Sequence, residues 1–211
     1  MSGYKNCVEM LDDMEERRFI KSHLPLSLLP HTLLDTAKVV YTARNPKDAM
    51  VSFYHHHRLI KSHGFTGDLP TFAARMTKNQ LAGNPFFPHL EEAWQLRHHP
   101  NLLFLFYEDM KRDLGSVIDQ VAGFLDCSLS REKKEQLIEH LDIKNFRNNP
   151  AVNAEIGKTF GFMNKTGNFI RKGKVGGWKE EFENFPEMEK QFDAWLSEQL
   201  QQSDVEFPDF S

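Results

Sequence analysis

Ala37-Lys38-Val39-Val40-Tyr41-Thr42-Ala43-Arg44, followed by Asn45-Pro46, decides the fold. Its nearly continuous apolar run predicts a strand covered on both faces. Pro46 suits a first helical position, so a helix is expected from there to about Lys61. The same unit recurs downstream. Leu102-Leu103-Phe104-Leu105-Phe106-Tyr107 predicts a second strand, and a helix is expected from about Asp113 to Leu125. Between them, helical patterns cover roughly Pro70–Leu81 and Pro88–His98. This alternation predicts an α/β fold, with a parallel sheet flanked by helices and right-handed crossovers. Upstream, Arg18-Phe19-Ile20-Lys21-Ser22-His23 predicts a further strand running into Leu24-Pro25. Downstream, 130–149 predicts one or two short helices, and the Gly- and Asn-rich 150–179 a long loop. Residues 186–201 predict an amphipathic helix with Met188, Phe192, Trp195 and Leu196 on one side, before a tail Phe207-Pro208-Asp209-Phe210.

The 211 residues suffice for one α/β domain, read as 1–211. With 40% hydrophobic and 27% charged residues, the composition excludes a disordered chain. A net charge of −4 excludes a bulk-basic nucleic-acid binder. Cys7 and Cys127 are too few for a disulfide framework and form no Cys-x-x-Cys, so a reduced, cytoplasmic protein is expected. No apolar run approaches the roughly 20 residues of a membrane span. Asp12, Asp13, Glu15, Glu16, Arg17 and Arg18 charge the first twenty residues, so no signal peptide is expected. The charge is uneven. Residues 141–179 hold eight Lys/Arg against two acids, and 180–211 ten acids against one lysine. An anionic ligand could find a basic pocket here, although on charge alone two oppositely charged solvated faces are the simpler explanation.

Several motifs fail on their own geometry. Gly157-Lys158-Thr159 resembles the end of a Walker A loop, but Val152 stands where that loop needs glycine. His55-His56-His57 cannot share one metal ion from consecutive helical positions, and no metal is expected. Asn164-Lys165-Thr166 is a glycosylation sequon that a cytosolic chain would not use. Other stretches bear on function together. Lys21 and His23 lie at a predicted strand's C-terminal end, where open parallel sheets build their sites. Arg44 ends the next strand, with Ser52 on the helix after it, and Tyr107-Glu108-Asp109 ends the other. Arg171-Lys172-Gly173-Lys174-Val175-Gly176-Gly177-Trp178-Lys179 is basic and glycine-rich. Glycines let backbone amides approach a phosphate, and Arg offers a fork of donors.

In this order, these stretches resemble the cytosolic sulfotransferase family. The likeness includes Lys21-Ser22-His23-Leu24-Pro25 with Leu28-Leu29-Pro30, and Val39 to Asp48 with Val51-Ser52-Phe53-Tyr54. It continues through Phe106-Tyr107-Glu108-Asp109-Met110, Phe169-Ile170-Arg171-Lys172-Gly173 and Gly176-Gly177-Trp178-Lys179. The resemblance implies a P-loop-NTPase-like fold and sulfuryl transfer from 3′-phosphoadenosine 5′-phosphosulfate (PAPS) to a phenol, alcohol or amine. The product would be 3′-phosphoadenosine 5′-phosphate (PAP). His23 would be the general base, since neutral imidazole suits that task near pH 7. Lys21 would balance charge at the transferring group. Arg44 and Ser52 would bind the 3′-phosphate, Arg171, Lys172 and Gly173 would close over it, and Tyr107 would seat the nucleoside.

The chain also departs from the family. The phosphosulfate stretch Tyr-Pro-Lys-Ser-Gly-Thr-Thr-Trp is absent, so the fold is expected to lack its first strand and that loop. Ile143 stands where an adenine-facing aromatic is usual, and Gly177 replaces the acid of Gly-Asp-Trp-Lys. The dimer motif Lys-x-x-x-Thr-Val-x-x-x-Glu keeps Lys179 but reads Glu183-Asn184 and Met188, leaving the homodimer without its motif. A non-catalytic PAP-binding or partner-binding chain is therefore the alternative. A P-loop nucleotide kinase is disfavoured by the missing Walker A and by the histidine at the strand end.

Overall fold

A computed structural model describes residues 7–209 apart from 84, 151, 153 and 154. In chain order, its regular elements are α1 (Cys7–Asp12), α2 (Leu33–Thr36), β1 (Val39–Ala43), α3 (Pro46–Leu59), α4 (Leu69–Thr77), α5 (Phe86–Gln95), β2 (Leu102–Phe106), α6 (Tyr107–Arg112), α7 (Leu114–Phe124), α8 (Arg131–Leu141), α9 (Ile143–Asn148), α10 (Glu155–Thr159), α11 (Trp178–Phe182) and α12 (Pro186–Gln201). Among the described residues, β1 and β2 form one parallel two-stranded sheet, with Val39 opposite Leu102 and Ala43 opposite Phe106. Helices α3, α4 and α5 make the crossover between the strands.

Both strand–helix units arise locally. Asn45 caps α3 by accepting the Lys47 N–H at 3.0 Å, and Pro46 takes the first turn, where its missing N–H costs nothing. Met50, Val51, Tyr54 and His57 recur at helical spacing on the buried side of α3. Met50, Val51 and Tyr54 pack with Leu69, Phe72, Ala73 and Met76 of α4, Phe182 of α11, and Met188 and Phe192 of α12, and the His57 ring meets Phe72 at 5.1 Å. A second cluster joins the sheet to α5 and the tail, through Ala43, Phe87, Leu90 and Val205. Phe207 meets Phe106 edge to face, with ring centroids 5.7 Å apart, so the tail packs to that point; Phe210 lies outside the described residues.

Three expectations need correction. Residues 18–23 form no strand; they run as an exposed segment, with Phe19 78% and Ile20 72% exposed. A strand exists only by pairing, and nothing among the described residues pairs with this one. Nor is β1 covered on both faces, since Val40 and Thr42 are exposed. Finally, 150–179 is not all loop, because α10 and the start of α11 fall inside it.

The two charge blocks meet. Lys47 of α3 pairs with Asp193 at 2.6 Å and Glu189 at 3.3 Å, both on α12, and its Nζ lies 3.9 Å from the Trp178 ring centroid. Lys172 and Lys174 pair with Glu180 of α11, at 2.6 Å and 3.0 Å. The acids of 180–211 thus neutralise cations of α3 and of the basic loop as well as facing solvent.

Candidate functional site

One cleft, with a volume of about 850 Å³, opens at the C-terminal ends of the two strands. Lys21, His23, Arg44, Ser52, Tyr107, Arg171, Lys172 and Gly173 all line it, so the eight residues given roles by the family resemblance border one space. Three segments converge there: the exposed 18–25 stretch, the β1–α3 unit and the basic loop 171–177.

Arg44 anchors one end. Its Nη2 donates to the Lys174 carbonyl at 3.0 Å, and its guanidinium carbon sits 4.4 Å from the Tyr107 ring centroid. Stacking on an aromatic face holds the guanidinium flat and leaves its edge free to donate. Arg44 Nε is buried and has no hydrogen-bond partner among the described residues. A buried orphan donor on a cation suits an anion with several oxygens. Burial pushes the Tyr107 hydroxyl above its ordinary range, against the pull of Arg44, so the phenol stays neutral at pH 7.

The basic loop is fixed from below. Asp48, 3% exposed, accepts from the Gly176 N–H at 2.7 Å and from the Trp178 N–H at 3.0 Å. At Gly173 the backbone takes φ +62°, and an added Cβ would lie 2.6 Å from Ile143 Cδ1. Ile143, noted as replacing an aromatic, therefore packs directly against this glycine. The loop's cations are already engaged. Arg171 donates to Glu181 at 3.1 Å, with Lys172 3.7 Å away. Burial would raise the Glu181 pKa, but the Arg171 hydrogen bond and the neighbouring charges hold it below the ordinary carboxylate value. Burial lowers the His55 pKa, with Arg171 adding to the effect, so His55 meets Glu181 at 3.2 Å as a neutral donor. Sequence reading gave no role to Asp48, whose loop partners lie 128 and 130 residues away, or to Glu181, which joins Arg171 ten residues away to His55 126 residues away.

The other end is apolar. Phe53, Leu59, Met76, Phe86 and Phe169 line it, with His56 among them. His56 is pushed down to about 4, first by burial and then by the nearby His63, His57, His23 and Lys21, so it is neutral at pH 7. His57 donates from Nδ1 to the Phe53 carbonyl at 3.1 Å, leaving Nε2 buried without a partner among the described residues. Lys21 and His23 are exposed on their segment, and the His23 carbonyl accepts from His89 Nε2 at 3.4 Å. No group of three or more His, Cys, Asp or Glu side chains among the described residues could hold a metal ion. No helix among them is long and apolar enough to cross a membrane.

Comparison with known proteins bears on the family and the fold. The sulfotransferase domain model matches residues 1–204. The chain is 36% identical over 181 residues to sulfotransferase 1A1 of Bos taurus, covering 85% of this chain and 61% of that protein. It is 36% identical over 202 residues to luciferin sulfotransferase of Photinus pyralis, covering 92% of this chain and 54% of that protein. Among solved structures, retinol dehydratase with androsterone and the inactive cofactor PAP superposes with a TM-score of 0.87 at 42% identity. That match covers 94% of this chain and 58% of retinol dehydratase. The chain thus spans about three fifths of the length of these relatives.

Proposed function

Because the chain belongs to the sulfotransferase family, we propose that it binds PAPS and transfers its sulfuryl group to the hydroxyl or amine of a small, largely apolar acceptor. One observation carries the reading: the eight candidate residues line one cleft, cationic at one end and apolar at the other. The residues fit such a nucleotide. The Arg44 guanidinium retains a buried donor with no partner among the described residues, and Gly173 brings the loop backbone to the cleft.

Arg44 and Ser52 would hold the 3′-phosphate. Arg171, Lys172 and Gly173 would close over it, and Tyr107 would seat the nucleoside. The co-substrate supplies an activated sulfuryl group. His23 would take the acceptor's proton on an imidazole nitrogen as the acceptor oxygen or nitrogen bonds to sulfur. PAP then leaves as the old S–O bond breaks. Lys21 would offset the charge that develops between them. Phe53, Phe86 and Phe169 suit a flat apolar acceptor. The homologous structure with androsterone and PAP is consistent with that class. Association through the 179–188 segment is not part of the reading, since Met188 is buried in the core.

A second reading has its own observation. Lys21 and His23 lie on an exposed, unpaired segment, while the Arg44 end is firmly built. On this reading the chain binds PAP without transferring a sulfuryl group. Transfer from PAPS to a panel of phenols, apolar alcohols and amines separates the two. Sulfated product that disappears with His23→Ala supports transfer. PAP binding without product supports the second reading, and neither product nor binding rejects both.

A further inference from the structure

Asp48 is a carboxylate in a place that needs explaining. It is 3% exposed, and it lies beside Arg44, the residue proposed to hold a phosphate. A negative charge there would oppose an anionic ligand, and burying a carboxylate is costly unless its oxygens are satisfied. Both are. Oδ2 accepts from the Gly176 N–H at 2.7 Å and Oδ1 from the Trp178 N–H at 3.0 Å. The Arg44 guanidinium stands 3.9 Å from Oδ1 and donates instead to the Lys174 carbonyl at 3.0 Å. One carboxylate thus grips the C-terminal half of the basic loop, while Arg44 grips its middle.

These bonds fix the loop's path. Gly176 turns in the left-handed region at φ +71°, which lets its N–H and that of Trp178 point at one side chain. Lys47, next to Asp48, holds the same corner by lying over the Trp178 ring. The bonds span 128 and 130 residues of sequence, so they tie α3 directly to the loop.

We infer that Asp48 is the positioning residue of the site: its two amide hydrogen bonds set the basic loop 171–178 against Arg44 before any nucleotide arrives. Ordering the loop in advance removes that entropy cost from binding. The inference rests on the proposed nucleotide reading only for the ligand's identity, since the hydrogen bonds belong to the free protein.

The test has two arms. Amide hydrogen exchange on the unliganded wild-type chain should show Gly176 and Trp178 at least tenfold slower than Val175, whose N–H is not bonded to Asp48. Equal rates at the three amides would overturn the inference whatever the nucleotide does. The second arm uses Asp48→Asn, which keeps the shape but turns an N–H donor towards one of the loop amides. Trypsin should then cut after Lys172 and Lys174 at least tenfold faster, with cleavage after Lys133 of α8 unchanged. The dissociation constant for PAP should rise at least tenfold, and saturating PAP should restore resistance to trypsin. Unchanged loop cleavage, or wild-type PAP affinity in Asp48→Asn, would contradict it. If the variant does not fold, the wild-type exchange rates decide. If the wild-type chain binds no PAP, the nucleotide reading fails while the exchange arm still stands.

Discussion

The two ends of the cleft are built differently. At the Arg44 end, side chains from β1, α3, α6 and the loop interlock: Asp48 takes two loop amides, Arg44 stacks on Tyr107, and Lys47 holds two acids of α12. At the His23 end, Lys21 and His23 sit on an exposed segment with no regular structure. Among the described residues its side-chain hydrogen bonds to the body lie mostly at its margins: Arg17 donates to the Leu125 carbonyl at 2.8 Å and Ser27 to Glu92, while His89 donates to the His23 carbonyl. Binding a nucleotide phosphate needs only the first end. Moving a proton during transfer needs atoms held to a fraction of an ångström at the second. On the proposed reading, nucleotide recognition would fall to the interlocked Arg44 end, and group transfer would depend on how the 18–25 segment is held.

Stability should follow the same division. Phe72, fully buried among α3, α4 and α12, should cost about 3–5 kcal/mol when changed to Ala, read by urea denaturation. Phe19→Ala, on the exposed segment, should stay within about 0.5 kcal/mol. A comparable loss at Phe19 would mean that the segment packs far more tightly than its exposure indicates.

Acid should weaken the histidine-rich α3 early. His55, His56 and His57 all have lowered pKa values in the fold, each first through burial. The unfolded chain therefore takes up protons first as pH falls below about 6.5, and stability declines from there. For His56 the decline continues to about 4. Glu180 and Glu181 have lowered values too, so their contribution is lost only below the ordinary carboxylate range. His56→Phe should reduce the stability lost between pH 6.5 and 4 by roughly 1 kcal/mol, allowing for the solvent screening of a half-buried group. A slope that starts only near pH 4.5 would show that the histidines contribute nothing.

Glu181 sharpens the comparison from the other side. Its carboxylate occupies Arg171, a cation that the proposed nucleotide would use. Glu181→Gln should tighten PAP binding about three- to fivefold, the scale of a partly exposed ion pair, seen as a lower dissociation constant in calorimetry. Weaker binding would mean that Glu181 holds Arg171 in its working position. The smallest effect is expected at the transfer end, where His23→Ala should leave the PAP dissociation constant within about twofold of wild type.

Some of this was legible in the sequence. The strands at Val39 and Leu102 and the helix at 186–201 carry their signals locally, in apolar runs and helical spacing. The segment 18–23 has the composition of a strand, but composition cannot supply the neighbour that makes one. Helix α11 was hidden inside a glycine-rich run, because what fixes its start is Asp48, 130 residues away. The candidate residues were legible as a set only through family likeness; taken alone, each had an ordinary structural explanation. The pairing of Glu181 with Arg171 and the grip of Asp48 left no local trace, since any charged run can face solvent.

The central claim is that these 211 residues hold a working site for the 3′-phosphate. Isothermal titration with PAP and with adenosine 5′-phosphate, which lacks that phosphate, tests it most directly. PAP should bind at least tenfold more tightly, and Arg44→Ala should erase the difference. Equal affinity for the two nucleotides, or no PAP binding by a chain that unfolds cooperatively, would contradict it.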